Sequence, residues 1–176
     1  MFIKVGNAYS RFNPACIWQG DPYVKNELLG YGPYTIGASG CGLACMLGIF
    51  NLYCNANLDL KFFNNLVKDY NGFDEKSHIK WDTIKHFVNS IDRTISRTYG
   101  TVSADLSQLR FPCIVRVDYN TSNDMDDWHY VVALEDRGND IFIADPINGK
   151  TYGLLTEYGF PKGGLKRAIY QIIRYE

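Results

Sequence analysis

The spacing of hydrophobic and polar positions divides the chain into a helical first half and a strand-rich second half. In the first half, apolar residues recur at the three-to-four-residue spacing of helices that bury one face. This spacing predicts three helices, over residues 41 to about 53, 59–70 and 80–89. Ser39 or Gly40 is the expected cap of the first helix. Residues 1–35, rich in Gly, Pro, Asn and Tyr, are predicted to form loops with short extended pieces.

Short apolar runs separated by turn residues follow Pro112. They predict strands over residues 113–117, 128–134, 140–144, 150–154 and 168–175, preceded by a short helical turn over 103–109. Because helices come first and strands follow through tight turns such as Arg137-Gly138-Asn139-Asp140, the predicted fold class is α+β with a largely antiparallel sheet. No repeat or linker interrupts the pattern, so residues 1–176 are expected to form a single domain.

Composition and charge exclude several classes of protein. Of the 176 residues, 46% are hydrophobic and 15% are aromatic, which is enough apolar material for a core without disulfides or a structural metal. The formal net charge is −1, with no basic stripe to bind nucleic acid and no basic amphipathic stretch to bind a membrane. The N-terminus lacks the apolar run of a signal peptide, and no segment is long enough to span a membrane. We expect a soluble protein, cytoplasmic by default, with export or a virus particle left open.

The cysteines direct attention to one position. Five cysteines do not make the even framework of a small secreted domain, so they are expected to be reduced and mostly buried. Cys41 differs, because Gly40-Cys41-Gly42 stands at the predicted start of an apolar helix. Unpaired amide groups and the helix dipole stabilise a thiolate there, and flanking glycines leave space for a substrate backbone. The alternative is a cysteine that is simply packed between two glycines.

Two further residues complete a candidate catalytic set. His129 begins an apolar strand in Asp127-Trp128-His129-Tyr130, and Asp145 ends the next strand in Ile143-Ala144-Asp145-Pro146. At neighbouring strand ends, the carboxylate would hold the imidazole by its second nitrogen. Taken singly, His129 is equally explained as a hydrogen-bonded histidine at a strand edge, and Asp145 as a turn-starting Asp before Pro.

The order of a thiol at a helix start, a histidine on a strand and a carboxylate one strand later is that of papain-like enzymes. The sequence resembles papain-fold cysteine peptidases related to the bacteriocin leader-processing (C39-like) family, and among them the stand-alone or phage-encoded members. The stretches that carry the resemblance are residues 18–22, 29–30, 35–44, 111–117, 128–133 and 143–146. They include Trp18-Gln19-Gly20 and Ser39-Gly40-Cys41-Gly42.

The resemblance implies a papain-like fold and a role for four residues. Cys41 is the implied nucleophile, His129 the general base and acid, Asp145 the orienting residue, and Gln19 a donor in the oxyanion hole. A side-chain amide and the N–H of Cys41 would together hold the negative oxygen of a tetrahedral intermediate. The implied reaction is hydrolysis of a peptide or protein substrate through a thiol acyl-enzyme, with no cofactor and no metal. The chain has no transporter domain, so leader removal is not implied.

Several alternatives remain open on sequence alone. Cys41 and Cys45, one helical turn apart, would bind zinc together with His129 if they converged. The same scaffold also serves amidases that cut peptidoglycan, isopeptidases and acyl transferases, or a silent binding module that uses the aromatic residues of the first segment. Acidic residues before His129 (Asp118, Asp124, Asp126 and Asp127) would raise its pKa or favour cationic substrates, unless they form a solvated loop. Residues 54–110 match the family least and are candidates for specificity.

Overall fold

The structure is a computed structural model that describes residues 2–5, 8–86, 100–103, 107, 109–118, 128–138, 140–147, 152–155 and 169–175. Its helices are α1 (Ile36–Ser39), α2 (Cys41–Cys54) and α3 (Leu60–Asp69), with 3-10 turns at Pro14–Ile17 and Trp81–Thr83. Its strands are β1 (Phe2–Val5), β2 (Ala8–Arg11), β3 (Gly100–Ser103), β4 (Cys113–Asp118), β5 (Trp128–Asp136), β6 (Ile141–Ala144), β7 (Tyr152–Leu154) and β8 (Ile169–Tyr175). Helices packed on a sheet of this kind confirm the predicted α+β class.

The central helix α2 is buried on all sides. Residues 42–52 are all buried, although the sequence predicts a single apolar face. Leu43, Met46, Leu47 and Phe50, which recur at helical spacing in the sequence, do lie in the core, but the opposite side is covered as well. A helix that is apolar all round is typical of the middle of a fold. This places the start of α2, with Cys41, at the point where α2 emerges from the core.

Helix α3 begins and ends at residues that the sequence shows to be helix-terminating. The Asp59 carboxylate accepts the Phe62 N–H at 2.8 Å, as an N-cap residue does. Phe63 and Val67 face the core, and the helix ends before Asn71, whose φ of 54° is left-handed. The boundaries predicted for the helices over residues 41 to about 53 and 59–70 are therefore confirmed by α2 and α3 to within a residue or two.

Among the described residues, six strands form one sheet in the order β3-β8-β4-β5-β6-β7, and every neighbouring pair is antiparallel. One face of the sheet, with Ile114, Val132 and Ile173, packs in the same core as α2. The other face carries a second apolar cluster that includes Val115 and Val131. Alternation along β4 and β5 thus supplies two cores, as expected of strands covered on both faces.

Other elements differ from the sequence prediction. Strand β3 was not predicted, and for residues 1–35 the sequence predicted only short extended pieces, not the antiparallel pair of β1 and β2. Each of these strands is four residues long and depends on a partner strand for its stability. The predicted third helix begins as the 3-10 turn Trp81–Thr83 and is helical to residue 86, beyond which residues 87–89 lie outside the described part. Of the turn predicted over 103–109, Ser103 ends a strand, and most of the rest lies outside the described residues.

The part of the chain that the structure describes contains no helix with the length and apolar character needed to cross a membrane.

Candidate active site

Cys41 is the first residue of α2, and Gly40 is its N-cap. The first N–H groups of a helix lack a carbonyl partner one turn back, and with the helix dipole they favour a negative sulfur. The side chain of Cys41 is half-buried and lines an open cleft. The sequence therefore places its candidate nucleophile at an electropositive, accessible position.

Both glycines beside Cys41 have a packing reason that the sequence did not reveal. A Cβ at Gly40 would collide with the carbonyl oxygen of Ile36, at the junction where α1 leads into α2. A Cβ at Gly42 would lie 3.3 Å from the Trp81 ring and 3.5 Å from the Tyr130 ring. The absence of side chains at these positions therefore fixes the entry of α2 and keeps an aromatic wall close to Cys41.

His129 is the second residue of β5 and is 4% exposed. Its Nε2 lies 2.8 Å from Oδ1 of Asp145, which directly follows β6 and is also buried. The same carboxylate oxygen accepts the N–H of Ile147 at 2.8 Å, so the loop holds the carboxylate in place. Cys41 lines the same cleft as His129, and its interaction with the ring is one cause of the raised pKa of His129. The antiparallel pairing of β5 and β6 thus brings the predicted imidazole and carboxylate together, at the cleft that Cys41 of α2 lines.

The pKa of His129 is raised to about 9. Burial acts in the opposite direction, because it disfavours the charged ring, but the hydrogen bonds and charges of Asp145 and Cys41 more than offset it. An imidazole with this pKa is protonated at neutral pH and has a proton to donate. The acidic segment that the sequence offered as a cause lies, from residue 119 to 127, outside the described residues.

Gln19 is buried and joins two parts of the site. Its backbone N–H donates to the carbonyl of Pro146 at 3.0 Å, next to Asp145, and its Nε2 donates to the carbonyl of Gly37 at 3.0 Å. Because an amide nitrogen carries two hydrogens, one remains beyond the bond to Gly37. Its Oε1 is buried and has no hydrogen-bond partner among the described residues. Gln19 also lines the cleft that Cys41 lines.

A cleft of about 870 Å³ opens at Cys41 between the helical part and the sheet. Tyr34 lines the cleft from the helical part. Residues 76–79 and 81 line it from the same side, and they lie in the region 54–110 that the sequence offers as a candidate for specificity. From the sheet side come Trp128, His129, Tyr130 and Ile147. The Trp81 and Tyr130 rings contact each other edge to face, 5.0 Å apart at their centroids. Aromatic rings from both sides therefore line the cleft together with polar groups such as Gln19, Lys76 and His78, a mixture that is common in binding sites.

Sequence reasoning assigned no role to Trp128 or Ile147, although both stand within the quoted motifs or beside them. The signal that would have found them is position, because Trp128 precedes His129 and Ile147 is two residues after Asp145. Both residues line the same cleft as His129.

Burial affects three of the other thiols. Burial raises the pKa of Cys113 to about 12 and raises that of Cys45 well above its usual range, so both stay protonated at neutral pH. Burial also raises the pKa of Cys16. Among the described residues, no group of three His, Cys, Asp or Glu side chains is arranged to hold a metal ion. The zinc alternative for Cys41, Cys45 and His129 has no support in this part of the chain.

Comparison with known proteins gives one result for the family. No curated protein matches the chain. The model of the peptidase C39 family matches residues 36–158, well over half of the sequence and a span that contains Cys41, His129 and Asp145. This match confirms the resemblance and the papain-like α+β fold that it implies. The chain belongs to the peptidase C39 family.

Proposed function

We propose that the protein is a cysteine peptidase that hydrolyses a peptide or isopeptide bond through a thiol acyl-enzyme. One observation carries the proposal: His129 is hydrogen-bonded to Asp145 and lines the same open cleft as Cys41, whose sulfur lies at a helix start. Membership of a peptidase family supports the same reaction class. Cys41 is the proposed nucleophile, His129 the acid and base, Asp145 its positioning residue and Gln19 an oxyanion donor.

The first half of the proposed reaction forms a thioester. The Cys41 sulfur, as a thiolate beside the protonated His129, attacks the carbonyl carbon of the scissile bond. The carbonyl oxygen becomes negative and accepts hydrogen bonds from the Gln19 amide and the N–H of Cys41. The C–N bond then breaks, and the leaving amine takes the proton of His129. The amine departs, and the acyl group stays on sulfur.

The second half restores the enzyme. Neutral His129 removes a proton from water as the water oxygen attacks the thioester carbon. Collapse of the second tetrahedral intermediate breaks the C–S bond and releases a carboxylic acid, and the thiolate–imidazolium pair forms again. Asp145 keeps the ring oriented through both steps, because Nε2 stays bound to its carboxylate.

The test is hydrolysis of a diverse pool of internally quenched peptides, with purified bacterial cell walls assayed in parallel. The proposal expects cleavage of at least one peptide group by the wild-type protein and none by C41S, which keeps the size of the side chain. Release of peptide stems from cell walls with no cleavage of free peptides would replace this proposal with a peptidoglycan-cleaving activity. No cleavage in either assay would favour a silent binding module on the same fold.

A further inference from the structure

Two apolar residues flank the acid–base pair and take no part in the proposed chemistry. Trp128 is the residue before His129, and Ile147 is held beside Asp145 through its own N–H. Both line the cleft. Their segments are the ones that deliver the imidazole and the carboxylate, so their positions relative to His129 are fixed by the same strands.

The Trp128 ring is exposed and held in place. Its side chain is 55% exposed, which is high for a residue that lies on a central strand of the sheet. The guanidinium of Arg116 lies 3.9 Å from the ring centroid and covers one of its faces. Arg116 is opposite Tyr130 in the β4–β5 pair, one diagonal step from Trp128 on the same sheet face. A ring held this way loses little conformational entropy when a ligand packs against it.

Proton transfer from His129 determines which side of the scissile bond lies next to the Trp128 ring. The leaving amine takes its proton from His129, so its nitrogen must come within hydrogen-bonding distance of the imidazole. The first residue on the leaving-group side of the scissile bond therefore lies beside His129. Trp128 and Ile147 are the cleft-lining apolar residues in the segments that carry His129 and Asp145.

We propose that Trp128 and Ile147 form a subsite for the leaving-group side of the scissile bond, and that this subsite selects a large uncharged side chain. The inference rests on the proposed peptidase activity. Aromatic and branched aliphatic side chains gain most by covering an exposed indole and an isoleucine. A cationic side chain gains less, because the Arg116 guanidinium already occupies one face of the indole and repels a second positive charge.

Transfer of the acyl group to an added amine tests this subsite separately from the part of the cleft that binds the acyl side of a substrate. A small acyl-glycine ester serves as the acyl donor, and amino-acid amides compete with water for the thioester. For the wild-type protein, phenylalanine amide and leucine amide should trap the acyl group about tenfold better than glycine amide or lysine amide. Equal trapping by all four amides would overturn the subsite while leaving the acyl-enzyme, and hence the proposed function, intact.

Three variants assign the preference to Trp128. W128A should lose most of the preference for the large amides, whereas W128F should retain most of it. Tyr23 is an exposed aromatic residue that is not among the described residues lining the cleft, so Y23A should leave the ranking of the amides unchanged. The intact mass of the acylated protein checks that each variant still forms the thioester. A W128A variant that forms it and keeps the wild-type ranking would contradict the inference, and a wild-type protein that never acylates would end both claims.

Discussion

At the scale of single residues, the account depends on three side chains that are distant in sequence and adjacent in space. The sequence predicted them as a catalytic set because each has a recognisable local setting: a cysteine between glycines, a histidine at the start of an apolar run, and an aspartate before proline. It could not supply the hydrogen bonds, since these depend on the register of β5 against β6. Nor could it reveal that Gln19 is tied through its backbone to the loop after Asp145.

Gln19 gives a prediction about the oxyanion. Removing the amide in Q19A should lower kcat/KM by roughly 10²- to 10³-fold, because a donor to the developing negative charge is lost. Q19E should lower kcat/KM by a similar factor, since a carboxylate repels that charge. Iodoacetamide labelling of Cys41 needs no oxyanion hole, so its rate should stay close to wild type in both variants and serves as the control. Q19A with peptidase activity within about threefold of wild type would remove Gln19 from the mechanism.

The raised pKa of His129 gives a prediction about pH. Below a pH of about 9 the ring is protonated and can give a proton to the leaving amine, and activity should fall as pH rises through about 9. In D145N the carboxylate charge is lost, so the pKa of His129 should fall and the alkaline limb should move down by roughly one to three pH units. The measurement is kcat/KM against pH for both proteins. An alkaline limb that does not move in D145N would contradict this role of Asp145.

At the scale of elements, the start of α2 controls the position of the nucleophile. The sequence predicted the helix and its first residue, because the apolar run and the glycine signal are local. It did not predict α1, a four-residue helix capped by Thr35 that leads directly into Gly40. Such a short element draws its stability from the packing around it, which no local pattern reveals.

The two glycines beside Cys41 form a matched pair for testing this junction. G40A should lower the free energy of unfolding by roughly 2–4 kcal/mol, because its Cβ meets a backbone carbonyl that cannot move without shifting α1. G42A should change it by less than about 1 kcal/mol, since its Cβ meets only side-chain ends and alanine favours a helix interior. Urea denaturation measures both. Equal effects would show that the junction does not depend on Gly40.

At the scale of the whole molecule, the helices and the sheet share a core. The largest apolar cluster joins Phe50 of α2 and Phe63 of α3 with Val132 of β5 and Ile173 of β8. The sequence predicted the order of helices and strands and therefore the class of fold. It could not predict the strand order, in which β8 inserts between β3 and β4, because that order is set by long-range pairing.

The shared core predicts one cooperative unfolding transition, in keeping with the single domain expected over residues 1–176. Far-UV circular dichroism, which follows helices and strands, should give the same urea midpoint as tryptophan fluorescence, which follows Trp18, Trp81 and Trp128. L47A, which removes a fully buried side chain from the shared core, should lower both midpoints together. Two separate transitions would mean that the helical part and the sheet fold independently.

The central claim is that Cys41 and His129 form an activated pair, and thiol reactivity tests it most directly. Low-dose iodoacetamide is applied from pH 4 to 9, and all five cysteines are followed by peptide mapping, with buried Cys45 and Cys113 as internal controls. The account predicts that Cys41 is labelled selectively below about pH 7, and that in H129A its labelling is lost or moves to higher pH. Labelling of Cys41 that is no faster than that of the other accessible thiols near neutral pH would contradict it.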